Sequence, residues 1–548
     1  MNSIDIIVIL LFTVLIFVCG ISFSKSGKDV SSFFAAGGAL PWWMSGLSLF
    51  MSFFSAGTFV VWGSIAYSSG WVAISIQWTM AIAGIIIGFF IAPKWQKTKE
   101  ITVASFITKR LGLQTQKVYT YLFLFVSLFT TGAFLYPVAK IVEVSTGIPI
   151  TTSIIVLGVL ILIYTAIGGL WAVIVTDVLQ FVVLTAAVFI VLPLSFKKVG
   201  GIDLFIEKAP ENFFNLVNEE YSVPFLIAFG LYNLFFIAGN WAYVQRYTSV
   251  ATPKDAKKVG WLFGGLYTIS PLIWMLPPMI YRVLNPDLTN LADEGAYLLM
   301  CKEVMPVGML GLMLGGMVFA TSSSVNTTLN ISAGVITNDI YRLLFPNSSN
   351  EKLVKVGRLA TVILGLLTIF VALLVPLMGG IVEVVMSIAA LTGAAMFLPP
   401  LWALFSKRSM GKTTVLVTII SLLINAFFKF LAPSILGITL DRTTEMSMGV
   451  GIPMVLLIII ELINYFKGFV APVTNKVIND SSTDEESESS NEGNKRGGRV
   501  IGLGIGAIGL LILILTFFAD AEKITIAIIG SIVLLLGLFV IYKNKEES

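Results

Sequence analysis

The chain is written in long apolar runs separated by short polar stretches, with neither the strict alternation of a half-buried strand nor the narrow stripe of an amphipathic helix. Crossing a hydrocarbon core of about 30 Å takes about 20 apolar residues in a helix, and about fifteen runs approach or exceed that length. They fall at 5 to 24, 42 to 68, 71 to 93, 118 to 146, 150 to 167, 170 to 195, 224 to 246, 259 to 283, 306 to 337, 356 to 378, 380 to 406, 413 to 435, 447 to 466, 499 to 518 and 523 to 542. The pattern predicts an all-α polytopic membrane protein. No Lys or Arg precedes the first run, whereas Lys25 and Lys28 follow it, so it reads as a retained span with the N-terminus outside. That orientation makes inner loops of the segments with Lys94, Lys97, Lys99, Lys109 and Arg110, with Arg246, Lys254, Lys257 and Lys258, with Arg342, Lys352, Lys355 and Arg358, and with Lys407, Arg408 and Lys412. The outer loops hold fewer bases, among them Lys197, Lys198, Lys208 and Lys302. The bias follows the positive-inside rule and places the C-terminus in the cytoplasm, with the chain in the plasma membrane, or in the inner membrane of a Gram-negative cell.

Composition narrows the function classes. Charged residues make up 12% of the chain and hydrophobic ones 57%, and the net charge of +4 is too small to argue for nucleic acid. With no histidine and only Cys19 and Cys301, neither a His-based metal centre nor a disulfide framework is expected. No nucleophile and base pair is visible either, so the chain is not expected to be an enzyme. The polar stretch 475 to 498, with Asp484, Glu485 and Glu486, has too little apolar surface to fold and reads as a disordered cytoplasmic linker, a regulatory docking segment being the alternative.

Polar and small residues inside the spans carry the candidate chemistry. The second run reads Ser-Phe-Phe-Ser-Ala-Gly-Thr-Phe from Ser52 to Phe59, and the seventh reads Phe-Phe-Ile-Ala-Gly-Asn-Trp from Phe235 to Trp241. Two interrupted helices in corresponding places suggest an internal repeat, spans 2 to 6 against 7 to 11, with a site at the interface; small-residue helix packing is the plainer reading of either glycine alone. In the ninth run seven of the eight residues from Thr321 to Thr328 are polar, and helical periodicity puts Ala320, Ser323, Ser324 and Thr327 on one face. Hydroxyls there can bond back to their own helix, bond to a neighbour, or coordinate a hard cation, which takes oxygen ligands. Carbonyls released near Ala56 to Phe59 would complete such a shell. Asp177 lies inside the sixth run, where a carboxylate costs roughly 2.5 to 3.5 kcal/mol and marks a functional candidate.

These stretches, with Thr-Asp-Val-Leu-Gln at 176 to 180, Gly-Asn-x-x-x-Val-Gln-Arg at 239 to 246 and Thr-Asn-Asp-Ile-Tyr at 337 to 341, occur in an order similar to the sodium:solute symporter family, over about residues 5 to 465. The chain resembles its sodium/glucose and sialic-acid members. The resemblance implies an inverted five-plus-five helix core of the leucine-transporter type with accessory helices: an accessory span in 1–41, repeats in 42–195 and 196–410, accessory spans in 411–467, a linker in 468–498 and two further spans in 499–548. It implies Na⁺ as coupling ion, bound by the carbonyls of Ala56, Phe59 and Ala320 and the hydroxyls of Ser323 and Ser324. A second Na⁺ would use Asp177, Ser323, Asn326 and Thr327, with Asn326 in place of the family's serine. Substrate positions carry over to Gln77, Trp78, Thr131, Asn233, Phe236 and Tyr267, where Gln77 replaces an acidic sugar ligand, Tyr267 a lysine and nearby Met80 a serine. The implied activity is sodium-coupled symport of a small polar solute, sugar-like first, by a monomer in the bilayer. Uptake of a sialic acid, amino acid or other carboxylate is the alternative, and an uncoupled channel or membrane sensor is the alternative from another class.

Overall fold

The structure, a computed structural model, describes residues 1–22, 40–100, 102–164, 170–288, 290–471, 485–519 and 522–546. Regular structure among them is helical, apart from one isolated bridge between Leu40 and Val250. Among the described residues ten helices are long and apolar enough to cross a membrane, from Val72–Lys97 to Lys523–Lys543, and Val223–Gly239 with Trp241–Thr248, bent by 61° at their junction, makes an eleventh. The chain is thus an all-α polytopic membrane protein. The difference from the expected fifteen spans lies in segments too short or too broken for a test of length and hydropathy. Ser3–Cys19, Ile150–Val159 and Met309–Ser322 are apolar but short, and the run at 42 to 68 is divided into Trp42–Met51, a π-type turn at Thr58–Trp62, and Gly63–Ser69.

The expected linker also differs. Residues 472–484 lie outside the described residues, but Glu485–Thr516 is a single helix, so 485 to 498 extend a span instead of forming coil. Glu, Lys and Arg are good helix formers, and the apolar helix that follows supplies the nucleus.

Membrane helices gain little from the hydrophobic effect among themselves and rely on close approach at small residues. Gly84 and Gly88 of Val72–Ile91 face Gly264 and Gly260 of Pro253–Trp274, and a Cβ on Gly260 would come within 2.6 Å of the Gly88 backbone. The two broken segments lie side by side: the Leu40 amide donates to the Ser249 carbonyl at 3.0 Å, so the start of one meets the end of the other. They run in opposite directions, as an inverted repeat requires. The helix Leu170–Val199 packs across the start of the first broken span and against Met309–Val335, here called the serine helix.

Candidate ion and solute site

The first broken span leaves helical geometry after Met51. Three successive amides then turn from carbonyls to hydroxyls. Ser55 N–H donates to Thr58 Oγ1 (3.2 Å), Ala56 N–H to Thr321 Oγ1 (2.9 Å) and Gly57 N–H to Ser55 Oγ (3.3 Å). The carbonyls of Met51 and Ser52 lose the amides that an intact helix would give them, while Phe53 O accepts from Thr58 Oγ1 at 2.8 Å. The break therefore opens about one turn earlier than the expected 56 to 59. Ala56 and Phe59 are both buried, and Phe59 lies within the Thr58–Trp62 turn, where π-type geometry replaces the ordinary ladder.

Thr321 is the contact that the sequence did not single out. Its hydroxyl accepts from Ala56 and donates to Met317 O at 3.0 Å, so it joins the broken span to the serine helix. Within that helix the hydroxyls of Ser322 and Thr328 bond back to their own carbonyls at 2.7 and 3.0 Å. Ser324 is held more loosely, Oγ to Ala320 O being 3.4 Å, and it faces a cavity. Two oxygens that far apart can also share one hard cation at 2.3–2.6 Å. The side chains of Ser323, Asn326 and Thr327 lie outside the described residues.

Asp177 and Arg246 form the buried polar centre beside this site. Ser48 Oγ donates to Asp177 Oδ2 (2.6 Å) and accepts from Arg246 Nε (3.1 Å), while Arg246 Nη1 reaches Gln245 Oε1 at 3.0 Å. Arg246, Ser48 and Asp177 are all 5% exposed or less. This corrects the placing of Arg246 in an inner loop: it belongs to the helix Trp241–Thr248, since the chain bends at Asn240 and continues for two more turns. A guanidinium thus sits among the spans, where none was expected. Its proximity to a carboxylate explains how both charges are tolerated in an apolar bundle.

Two adjoining cavities meet at Phe236, Tyr243, Tyr232 and Ser52. One is lined by Asp177, Arg246, Asn240 and Ser324; the other by Asn233, Tyr267, Trp62 and Thr58, with no charged residue on its wall. Rings divide them, Phe236 lying 5.5 Å from Tyr243 and 5.3 Å from Phe397. Of the substrate positions carried over, Asn233, Phe236 and Tyr267 line these cavities, and the Asn233 amide is held by Thr79 Oγ1 at 2.9 Å. The other three line neither. Gln77 is 1% exposed with both amide atoms unpartnered, Trp78 spends its Nε1–H on Thr268 O at 3.1 Å, and the Thr131 hydroxyl bonds back to Ser127 O. Residues 77 and 78 lie on the helix that packs against Pro253–Trp274, and Met80, one turn on, reaches the cavity wall instead. Thr130 lines both cavities in place of Thr131.

Comparison with known proteins bears on the family and the fold. A sodium/glucose cotransporter of Vibrio parahaemolyticus is 29% identical over 477 residues, covering 79% of this chain and 86% of that protein. The sodium/sialic acid symporter NanT of Aliivibrio fischeri is 28% identical over 369 residues, 64% of this chain and 72% of the relative. The solved structure of a Na⁺-coupled sialic acid symporter in a substrate-bound outward-open state superposes with a TM-score of 0.71 at 22% identity, over 84% of this chain and 98% of that one, and shares its fold. The model of the sodium:solute symporter family matches residues 33–421, well over half of the sequence. The chain belongs to the sodium:solute symporter family.

Proposed function

We propose that the chain couples Na⁺ entry to uptake of a small, neutral, sugar-like solute by alternating access. Na⁺ binds between the first broken span and the serine helix, at the carbonyls of Ala56, Phe59 and Ala320 and the hydroxyls of Ser323 and Ser324. The solute occupies the uncharged cavity, with Asn233 and Tyr267 on its wall and Phe236 at its inner boundary. The observation that carries this reading is the Ala56 to Thr321 hydrogen bond, which holds a disrupted backbone against a run of hydroxyls beside that cavity. Aromatic faces and a few fixed amide and hydroxyl groups suit a neutral ring with several hydroxyls. Coupling follows if Na⁺ binds the solute-receptive state more tightly than the other, since equal affinity for both states would shift nothing. The N-terminus faces outward, on the distribution of bases among the loops.

Uptake into proteoliposomes tests this directly. Replacing Na⁺ by choline abolishes concentrative uptake, and Ser323→Ala or Ser324→Ala raises the half-saturating Na⁺ concentration more than it lowers the amount of protein in the membrane. Uptake that is indifferent to choline would remove the coupling.

A second reading, a carboxylated solute, is favoured by one observation: Arg246 lines the inner cavity. Two of its N–H groups are already engaged by Ser48 and Gln245, and Asp177 lies beside it, which leaves the neutral solute as the better reading. Asp177 with Ser323, Asn326 and Thr327 would take a second Na⁺ only by sharing the carboxylate with the Ser48 hydroxyl. A thermal-shift screen of sugars, polyols, sialic acids and amino acids, each with and without Na⁺, distinguishes the solute classes because a ligand of the native state raises its apparent stability.

A further inference from the structure

The serine helix begins after Gly308, which has φ +86°, and no side chain from its own neighbourhood caps it. The first amides of a helix lack intrahelical partners and need acceptors from elsewhere. Here the acceptor comes from 303 residues away. Asp5, in the accessory helix Ser3–Ile21, receives Gly308 N–H at 2.7 Å and Gly311 N–H at 3.2 Å on Oδ1, while its Oδ2 receives Asn2 N–H at 2.8 Å. The residue is 3% exposed. An isolated carboxylate at such a place would be costly, and three N–H donors together with the positive end of a helix offset that cost.

The contact continues down the helix. A Cβ on Gly311 would lie 2.3 Å from the Asp5 carbonyl oxygen, one on Gly315 would lie 3.2 Å from the Phe12 ring, and Phe12 meets Phe319 edge to face at 6.1 Å. The accessory helix therefore grips the serine helix from Gly308 as far as Phe319, the residue before Ala320, where the proposed ion-binding face begins. In that seam Gly311 and Gly315 let the two helices approach closely, and Val8, Phe12 and Ile16 are buried in the same apolar cluster as Met309 and Leu312. The Asp5 carboxylate is its directional contact.

We propose that Asp5 is a positioning residue for sodium binding: it clamps the first turn of the serine helix and thereby fixes the register of Ala320, Ser323 and Ser324 against the first broken span. This rests on the sodium site proposed above. The carboxylate lies about twelve residues, or roughly 18 Å along the helix, from Ala320, so it touches neither ion nor solute. Its effect is preorganisation. If the clamp is released, the helix samples registers in which the ligands do not converge, and the apparent ion affinity falls in proportion to the competent fraction.

The test uses the full chain in proteoliposomes, with uptake normalised to protein in the membrane. Asp5→Ala raises the half-saturating Na⁺ concentration roughly fivefold, the scale expected for loss of a cap, with a smaller change in maximal rate. Asp5→Asn keeps an oxygen acceptor without the charge and stays within about twofold of wild type on the same reasoning. Gly311→Ala, which pushes the two helices apart without altering the carboxylate, moves in the direction of Asp5→Ala. Hydrogen exchange of the 309–325 segment in sodium-free protein reads the clamp independently of transport and is faster in Asp5→Ala. Unchanged exchange, or Asp5→Asn as impaired as Asp5→Ala, overturns the clamp. So does a half-saturating Na⁺ concentration that stays at the wild-type value while stability falls. Faster exchange in a protein whose wild type ignores Na⁺ would instead sustain the clamp and refute the sodium reading.

Discussion

In the first broken span three consecutive amides, Ser55 to Gly57, are held by hydroxyls, one of them from a residue 265 positions away; in the second, one residue caps both helices that meet there. Asn240 donates its own N–H to Phe236 O at 3.0 Å, ending one helix, and accepts Ala242 N–H at 3.0 Å on its side chain, starting the next. The Asn240 and Ala242 amides of the second break are thus satisfied within four residues, Ala238 O, freed at the same break, accepts from Trp95 Nε1 at 2.8 Å, and the chain bends by 61°. The first depends on another span for its geometry. A break whose amide is held by another span can report the position of that span, whereas the amides of the second break are set by its own residues. The two breaks are thus similar in outline and different in chemistry, with the proposed ion site on the side where an amide is held by another span.

The start of the first broken span meets the end of the second at Ser48, which lies between Arg246 and the Asp177 carboxylate, and cutting that joint is the largest expected effect. Arg246→Met leaves the Asp177 carboxylate buried without its guanidinium and costs about 3–5 kcal/mol, seen as a large drop in the unfolding midpoint in detergent. Arg246→Met with Asp177→Asn recovers part of the loss, because the uncompensated charge is gone. A double variant no better than the single one would show that Arg246 acts through packing alone.

The next effect separates the two breaks. Thr321→Val keeps the shape but leaves the buried Ala56 N–H without an acceptor, at about 1–3 kcal/mol, and raises the half-saturating Na⁺ concentration several-fold. Thr321→Ser restores both. Asn240→Ala removes the cap of the second break and costs about 1 kcal/mol, with less than a twofold change in sodium dependence. Equal sodium defects in Thr321→Val and Asn240→Ala would erase the distinction between an amide held by another span and one capped locally.

Much of this was legible in the chain. The Ala-Gly-polar steps marked both breaks within a turn, the run from Thr321 to Thr328 marked the helix that faces the first of them, and Asp177 stood out as a carboxylate in an apolar run. The links between them were not legible, because they join residues 129 to 303 positions apart and depend on which helices touch. Arg246 was misplaced. It stands at the last position of the 224 to 246 run and read as the first base of the loop beyond, whereas the helix Trp241–Thr248 carries on past it. Gln77 and Trp78 fell at family substrate positions, but one helical turn decides whether a side chain faces a cavity or a neighbouring helix, and that rotation is set by the glycine contacts with Pro253–Trp274.

The smallest effect concerns the opposite ends of the repeats, where the joint is titratable. Glu294, in the short turn Asn290–Gly295, accepts from Tyr136 Oη at 2.8 Å and from Ile381 N–H at 2.8 Å, tying the first repeat to the start of the last core span. Burial pushes its carboxyl above the usual range, and the two hydrogen bonds and nearby Lys140 offset only part of that. A native pKa above the unfolded value means that the group favours the fold most below the ordinary carboxylate range, and that this contribution is lost as pH rises through the native value. Over that window the unfolding midpoint of the wild type declines relative to Glu294→Gln, whose profile lacks this step. If Glu294→Gln kept the wild-type slope, the pH response would belong to another group, with Asp293, raised by burial and bonded to Ser64, the next to test.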